Sequence, residues 1–148
     1  MNLSDFVDGV EVTMSDLDYT RDNGYAEGMS RVFSRHLRGM EPTVRPIHCT
    51  DTKRLTFYVK DQDKWERDDH EKLRGSFGRI ARKHVLQVKE WERANPGWET
   101  TESGADAWAK MVREVTSSPQ GGAETSVLRA LSMTTDVGPG MLADTSQR

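Results

Sequence analysis

The run Arg45-Pro46-Ile47-His48-Cys49-Thr50-Asp51-Thr52-Lys53-Arg54 gathers an imidazole, a thiol, a carboxylate and three cations in one short stretch. His48, Cys49 and Asp51 are of the types that ligate a transition metal, and His48 with Asp51 could form an acid–base pair. Metal sites usually announce themselves by paired ligands such as C-x-x-C or H-x-x-x-H, and neither occurs here. The remaining histidines, His36, His70 and His84, are scattered over different predicted helices. Alternation along a strand sends His48 and Cys49 to opposite faces. A Cys49 nucleophile would therefore need one of the other histidines brought to it by the fold. The structural alternative makes Cys49 a small buried hydrophobe and Asp51 an Asx-turn residue bracing the loop to Lys53. That alternative carries more weight, so no residue is assigned a catalytic, cofactor-binding or metal-binding role and no cofactor is expected. Glycine-rich phosphate loops, Ser-centred elbows and paired-carboxylate patterns are missing as well. The chain is expected not to be an enzyme.

A second chemistry is electrostatic. Lys72, Arg74, Arg79, Arg82, Lys83 and Lys89 lie along one predicted helix, and Arg45, Lys53 and Arg54 could join them. Clustered cations neutralise phosphates, which makes Arg45, Lys53, Arg54, Arg74, Arg79, Arg82 and Lys83 the candidate nucleic-acid-binding set. The ordinary alternative is a solvated helix face, and the acidic N-terminal segment could equally be the partner of these cations within the chain. Trp65, Trp91, Trp98 and Trp108 could stack bases. Three of them fall on predicted buried faces, which favours core packing or a subunit interface, with Trp91, Trp98 and Trp108 as interface candidates.

These residues must be positioned by a chain of 148 residues, enough for one compact domain. The sequence is 34% hydrophobic and 30% charged, with a net charge of −3, so bulk charge argues neither for nor against a nucleic-acid partner. The lone cysteine suits a reducing compartment. No apolar stretch approaches the ~20 residues that span a bilayer, and no signal segment opens the chain. The expectation is a protein that is neither secreted nor transmembrane.

Residues 1–22 read as an acidic arm, with Leu3, Phe6, Val7 and Val10 at helical spacing and Ser4-Asp5 as a cap. A core domain over 23–118 follows. Its first helix runs from Gly24 to Leu37, capped by Asn23, with Tyr25, Met29, Val32, Phe33 and Leu37 on one face. Ile47–Cys49, Arg54–Lys60 and Lys64–Glu66 read as strands, with Asp61-Gln62-Asp63 as a hairpin turn and Trp65 across from Phe57 and Val59. A long helix from Asp69 to Ala94 carries Leu73, Phe77, Ile80, His84, Val88 and Trp91, capped by Asp68 or Asp69. Gly75 and Gly78 weaken it by about 1 kcal/mol each relative to Ala, so close packing is expected there. Thr101 or Ser103 starts another helix. Residues 119–148 read as a short helix, Ala123–Met133, and a flexible tail from Thr134. The fold class is therefore α+β: a small antiparallel β-meander packed on a long helix, with additional flanking helices.

The motif Arg-Pro-Ile-His-Cys-Thr-Asp-x-Lys-Arg, followed by a strand and Lys60-Asp61-x-x-x-Trp65-Glu66, resembles a segment found in uncharacterised proteins of large double-stranded DNA viruses. The resemblance covers about Tyr25 to Ser118, with Gly24-Tyr25-Ala26, Lys89-Glu90-Trp91 and Asn95-Pro96 as further points of similarity. In that family the segment typically ends longer proteins, after a zinc-finger-like segment and a long coiled coil. This chain has neither, so it is expected to be a short member or a fragment, and finger-dependent DNA binding is not carried over. A domain that ends a coiled coil often serves assembly or docking. The resemblance implies a location in the virion or in the cytoplasm or nucleus of the infected cell. The leading expectation is a non-enzymatic viral interaction or assembly module that self-associates or docks into a larger complex, its partners itself or other viral proteins and no membrane. A nucleic-acid-binding accessory protein using the basic helix is second. A metal- or His-dependent hydrolase or nuclease centred on His48 and Asp51 is third.

Overall fold

The computed structural model describes residues 1–117 and 122–138, and the expected tail beyond 138 lies outside them. Over these residues six α-helices accompany one three-stranded antiparallel sheet, an α+β fold. The helices are α1 (Leu3–Gly9), α2 (Met14–Asn23), α3 (Tyr25–Arg38), α4 (Glu71–Ala94), α5 (Glu102–Val115) and α6 (Gly122–Thr135), with a single 3-10 turn at Trp98–Thr100. The strands, in the order β1-β2-β3, are β1 (Ile47–Asp51), β2 (Thr56–Asp61) and β3 (Lys64–Asp68).

Alternation builds the sheet. Ile47, Cys49, Phe57 and Val59 are fully buried on one face, where they join Leu73, Phe77 and Ile80 of α4. The β2–β3 hairpin turns on two residues, Gln62 and Asp63, with φ of 49° and 63°. Positive φ at both central positions is the geometry that suits the right-handed twist of the flanking strands. Trp65 pairs with Lys60 and lies on the face away from Phe57 and Val59, contrary to the expectation that it would sit across from them. The cause is register: a two-residue turn fixes which side chains share a face.

The long helix carries its predicted stripe. Leu73, Phe77, Ile80, His84, Val88 and Trp91 are all buried. Both carboxylate oxygens of Asp68 accept from backbone N–H groups at its start, Lys72 N at 3.1 Å and Leu73 N at 3.1 Å. At 1.5 Å per residue the helix is about 36 Å long, and it serves two cores. Its first half lies in the sheet core, while Val88 and Trp91 pack with Leu17, Met111 and Val115 in a second cluster built from α2 and α5.

The N-terminal segment is part of this core. Leu3, Phe6, Val7 and Val10 are buried in the same cluster as the sheet, and Phe6 packs on Phe33 with ring centroids 6.0 Å apart. The segment also holds a second helix, α2, opened by a capping box in which Thr13 Oγ1 accepts from Asp16 N and Asp16 Oδ2 accepts from Thr13 N. Asn23 caps nothing. Its amide donates to Tyr19 O, and Gly24, at φ 96°, makes the corner into α3. Ser4-Asp5 likewise leaves α1 without a side-chain cap.

The C-terminal boundary moves in the same direction. Thr134 and Thr135 continue α6, Thr135 is fully buried, and Val137 N donates to Cys49 O at 3.0 Å. The segment therefore docks on the outer edge of β1 rather than leaving the domain. Val127, Leu128 and Leu131 supply the apolar side of that dock.

The α2–α3 crossing depends on Gly28, where an added Cβ would fall on the Thr20 hydroxyl well inside van der Waals contact. Gly28→Ala should destabilise the fold by about 1–3 kcal/mol through overpacking, read as a lower midpoint in urea. An unchanged midpoint would show that the two helices are free to move apart.

Candidate functional site

The chemistry-bearing motif folds into structural roles. His48 is buried; its Nε2–H donates to Pro42 O at 3.0 Å, and its ring stacks on Trp65 with centroids 4.4 Å apart and planes 17° from parallel. With the proton on Nε2, the buried Nδ1 keeps a bare lone pair and has no partner among the described residues. Burial pushes the His48 pKa down, against the carbonyl of Pro42. Cys49 is fully buried, and burial pushes its thiol up, away from the thiolate a nucleophile needs. Asp51 Oδ1 accepts from Lys53 N at 3.0 Å and Arg54 N at 3.1 Å, the Asx turn expected of it. Among the described residues no group of three His, Cys, Asp or Glu side chains could hold a metal ion.

A groove of about 880 Å³ opens beside the motif, lined by Arg54, Leu55, Asp68, His70 and Lys72 among others. Two of its residues, Leu55 (φ 53°) and His70 (φ 76°), adopt the left-handed conformation that costs a side-chain-bearing residue free energy. The two are joined: His70 Nε2 lies 2.8 Å from Leu55 O, and the His70 ring meets Phe57 edge-on at 5.8 Å. Asp68 is occupied by the start of α4. Two polar groups of the groove are thus engaged structurally, His70 in holding the β1–β2 loop and Asp68 in holding the start of the helix.

The candidate nucleic-acid cations divide sharply. Arg45 donates to Leu37 O and Thr134 O, tying α3 to α6. Arg74 pairs with Glu124 at 2.8 Å, and Arg79 pairs with Asp8. Lys83 Nζ donates to three carbonyls at the end of α1: Val7 O at 2.7 Å, Asp8 O at 3.1 Å and Val10 O at 2.6 Å. The N-terminal segment is therefore the partner of two of these cations, Arg79 through the Asp8 carboxylate and Lys83 through backbone carbonyls. Arg82 and Lys53 are exposed and make no ion pair among the described residues, and Arg54 only approaches Asp51, at 3.8 Å.

The tryptophans also divide. Trp91, Trp98 and Trp108 form one ladder, with Trp98 stacked on Trp108 at 4.8 Å and Trp91 6.3 Å from Trp98. Trp108 Nε1 donates to Glu92 Oε1 at 2.9 Å. These candidate interface residues close the second core, with Trp98 and Trp108 left half-buried.

One surface was missed. His48 and Trp65 share the face of the sheet turned away from the helices. The register His48↔Tyr58↔Arg67 and Lys60↔Trp65 puts Tyr58, Lys60 and Arg67 on that face with them. Tyr58, Lys60 and Trp65 are half-exposed and Arg67 is exposed. The signal was present in the period-2 pattern. Tyr58 and Lys60 alternate with Phe57 and Val59, and alternation locates an outer face as well as a core face.

Comparison with protein-family models, with curated proteins and with solved structures gives no match to this chain. Among the described residues no helix is long and apolar enough to cross a membrane.

Replacing Lys83 by Met keeps its stem and removes three hydrogen bonds, and should cost about 1.5–3 kcal/mol. Faster hydrogen exchange in α1 than elsewhere would locate the loss; uniform exchange would show that Lys83 does not hold α1. A pH dependence follows from His48 and His84, both held below the ordinary histidine value by burial. The unfolded chain takes up these protons more readily than the folded one. Their contribution is therefore complete above about pH 6.5 and is lost as pH falls through the depressed folded values. Urea midpoints should drop between pH 7.5 and 5.0, with a smaller drop in His84→Gln. Equal slopes in the two proteins would remove His84 from the account.

Proposed function

We propose that the chain is a non-enzymatic interaction module that self-associates through the outward face of α4. The observation that carries this reading is a cost with no return inside the chain. Gly75 and Gly78 lie in the middle of a helix, where each costs about 1 kcal/mol relative to Ala. A Cβ at either position would meet nothing within 4 Å. On the same face Leu86 is 57% exposed and Val85 41% exposed, an apolar pair that no other element covers. Small residues let two helix backbones approach, and large apolar residues fill the space so made.

Antiparallel pairing of two α4 helices about Arg82 would set Leu86 of each copy against Gly78 of the other. It would also set Glu71 opposite Arg93, a favourable charge contact. Arg82 would lie near the axis, where its long side chain can reach solvent. The resemblance to proteins of large DNA viruses makes a viral assembly the setting for this association. The basic-helix reading has less support, because Arg74, Arg79 and Lys83 are engaged within the chain.

The double variant Gly75→Ala/Gly78→Ala separates folding from association. It should raise the thermal midpoint of the dilute protein, since helix propensity improves by about 1 kcal/mol per site, yet weaken the dimer about tenfold or more by sedimentation velocity. Leu86→Asp should be monomeric and folded. A wild-type chain that stays monomeric at hundreds of micromolar would overturn the reading.

A further inference from the structure

We propose that the outer face of the sheet is a binding site for single-stranded nucleic acid, independent of the α4 face and going beyond self-association. Tyr58, Trp65, Lys60 and Arg67 form the site, with Lys53 and Arg54 at its rim. Three observations converge on it.

The first is aromatic. Trp65 lies flat against the buried His48 ring, which is itself held by Pro42 O. One indole face is thereby backed, and its orientation is fixed without a ligand. Tyr58 pairs with His48 across β1–β2 and so stands beside this stack, half-exposed. Two aromatic side chains on neighbouring strands of one sheet face form a platform on which bases can stack without regard to sequence.

The second is charge. Lys60 and Arg67 project from the same face, Lys60 directly opposite Trp65 and Arg67 directly opposite Tyr58. Among the described residues neither makes an ion pair, and Lys53 makes none either. The contrast with α4 is the informative part. There Lys72, Arg74 and Arg79 each have a carboxylate partner. The carboxylates on β2 and β3 also point elsewhere: Asp61 and Glu66 both face Lys72, behind the sheet. Asp51, beside the rim, accepts two backbone N–H groups through Oδ1 and meets Arg54 through Oδ2 at 3.8 Å. The charged side chains that the register places on the outer face are therefore the cations Lys60 and Arg67, with Tyr58 and Trp65 set beside them.

The third is shape. Neighbouring strands lie about 4.8 Å apart, so a three-stranded face is about 10 Å across, room for about two stacked bases. A duplex keeps its bases stacked on each other and cannot use an aromatic platform, so the occupant is single-stranded. Cations flanking exposed rings match a phosphate backbone crossing the strands; an acidic protein surface would use the cations and leave the rings idle.

The test is fluorescence anisotropy of labelled single-stranded DNA, single-stranded RNA and duplex DNA with the full chain at low and physiological salt. Single strands should bind more tightly than duplex, with log affinity falling on log salt with a slope of about −2 to −3 for four cations. Lys60→Glu/Arg67→Glu should lose at least about tenfold, and Tyr58→Ala at least about fivefold. Arg82→Glu/Lys89→Glu, the same charge change on the outward face of α4, should lose far less. Oligonucleotide should quench tryptophan emission in the wild type and not in Trp65→Phe, which keeps Trp91, Trp98 and Trp108. The proposal fails if no single strand binds at low salt, if duplex binds equally well, or if the α4 variant loses as much as the sheet variant. Retention of the wild-type far-ultraviolet circular dichroism qualifies each variant for the comparison. Sedimentation velocity of the sheet variant separates the two readings, because it should still self-associate.

Discussion

The carboxylate of Asp16 is the constraint from which the rest of this fold follows. Its side chain is fully shielded from solvent, yet it remains ionised. Burial alone would raise its pKa, but hydrogen bonds from Arg35 and from Thr13 N outweigh that and hold it below the ordinary carboxylate value. A buried charge is tolerated only when its hydrogen-bonding capacity is filled. Here the filling groups come from two helices: Thr13 N at the start of α2, and Arg35 with Arg31 on α3. Arg35 also donates to Glu11 O, so the same guanidinium fixes the chain that leads into α2. Once α2 is set against α3, α1 can lay Leu3, Phe6 and Val7 over the sheet core. Leu17 then enters the second core beside Val88 and Trp91.

The helix α4 carries this constraint along the molecule. Apolar burial holds its inner face to both cores, while its flanking cations hold α1 and α6 in place. Lys83 is the clearest case, since its ammonium reaches three carbonyls at the end of a short helix, one of which, Val7 O, also accepts from Val10 N. Between the two cores sits His84, whose Nδ1 donates to Ile80 O while Nε2 has no partner among the described residues. The Tyr25 hydroxyl, also without a partner, lines the same small cavity. This junction is the weakest-satisfied part of the interior, and it falls where the apolar stripe of α4 passes from one core to the other.

How much of this was legible follows from which residues are buried. The stripe of α4 and the alternation of β2 are apolar, and apolar periodicity is the signal a sequence carries best. The inner face of α2 is Asp16, Leu17 and Thr20, two of them polar, so no hydrophobic pattern marks it. Its only sequence sign was the spacing of Thr13 and Asp16. Thr135 failed in the same way: a buried threonine at the end of α6 reads as the start of a polar tail. The motif around His48 was legible as a loop and strand, and its Asx turn followed from Asp51. What sequence could not supply was the partner of each cation. Arg79 and Asp8 stand far apart along the chain and meet only because α1 folds back onto α4.

The same reasoning explains how so many reactive side chains can stand together while serving structural roles. A catalytic pair needs its groups on one face, within hydrogen-bond reach and open to substrate. Strand alternation divides His48 from Cys49, and burial closes access to both. The β-bulge between Cys49 and Asp51 then turns Asp51 into the loop, where backbone N–H groups claim its carboxylate. Each of these three residues thereby serves a neighbouring element. Cys49 O receives the C-terminal segment, Asp51 shapes the turn and His48 backs Trp65. The last of these faces outward. An imidazole buried at the cost of an unpartnered nitrogen is an expensive way to fill space, and an aliphatic side chain would pack there without that penalty. What the imidazole adds is a flat surface, hydrogen-bonded on one edge, that sets the plane of a half-exposed indole. Recognition by stacking gains from such a fixed plane, because less orientational freedom remains to be lost on binding.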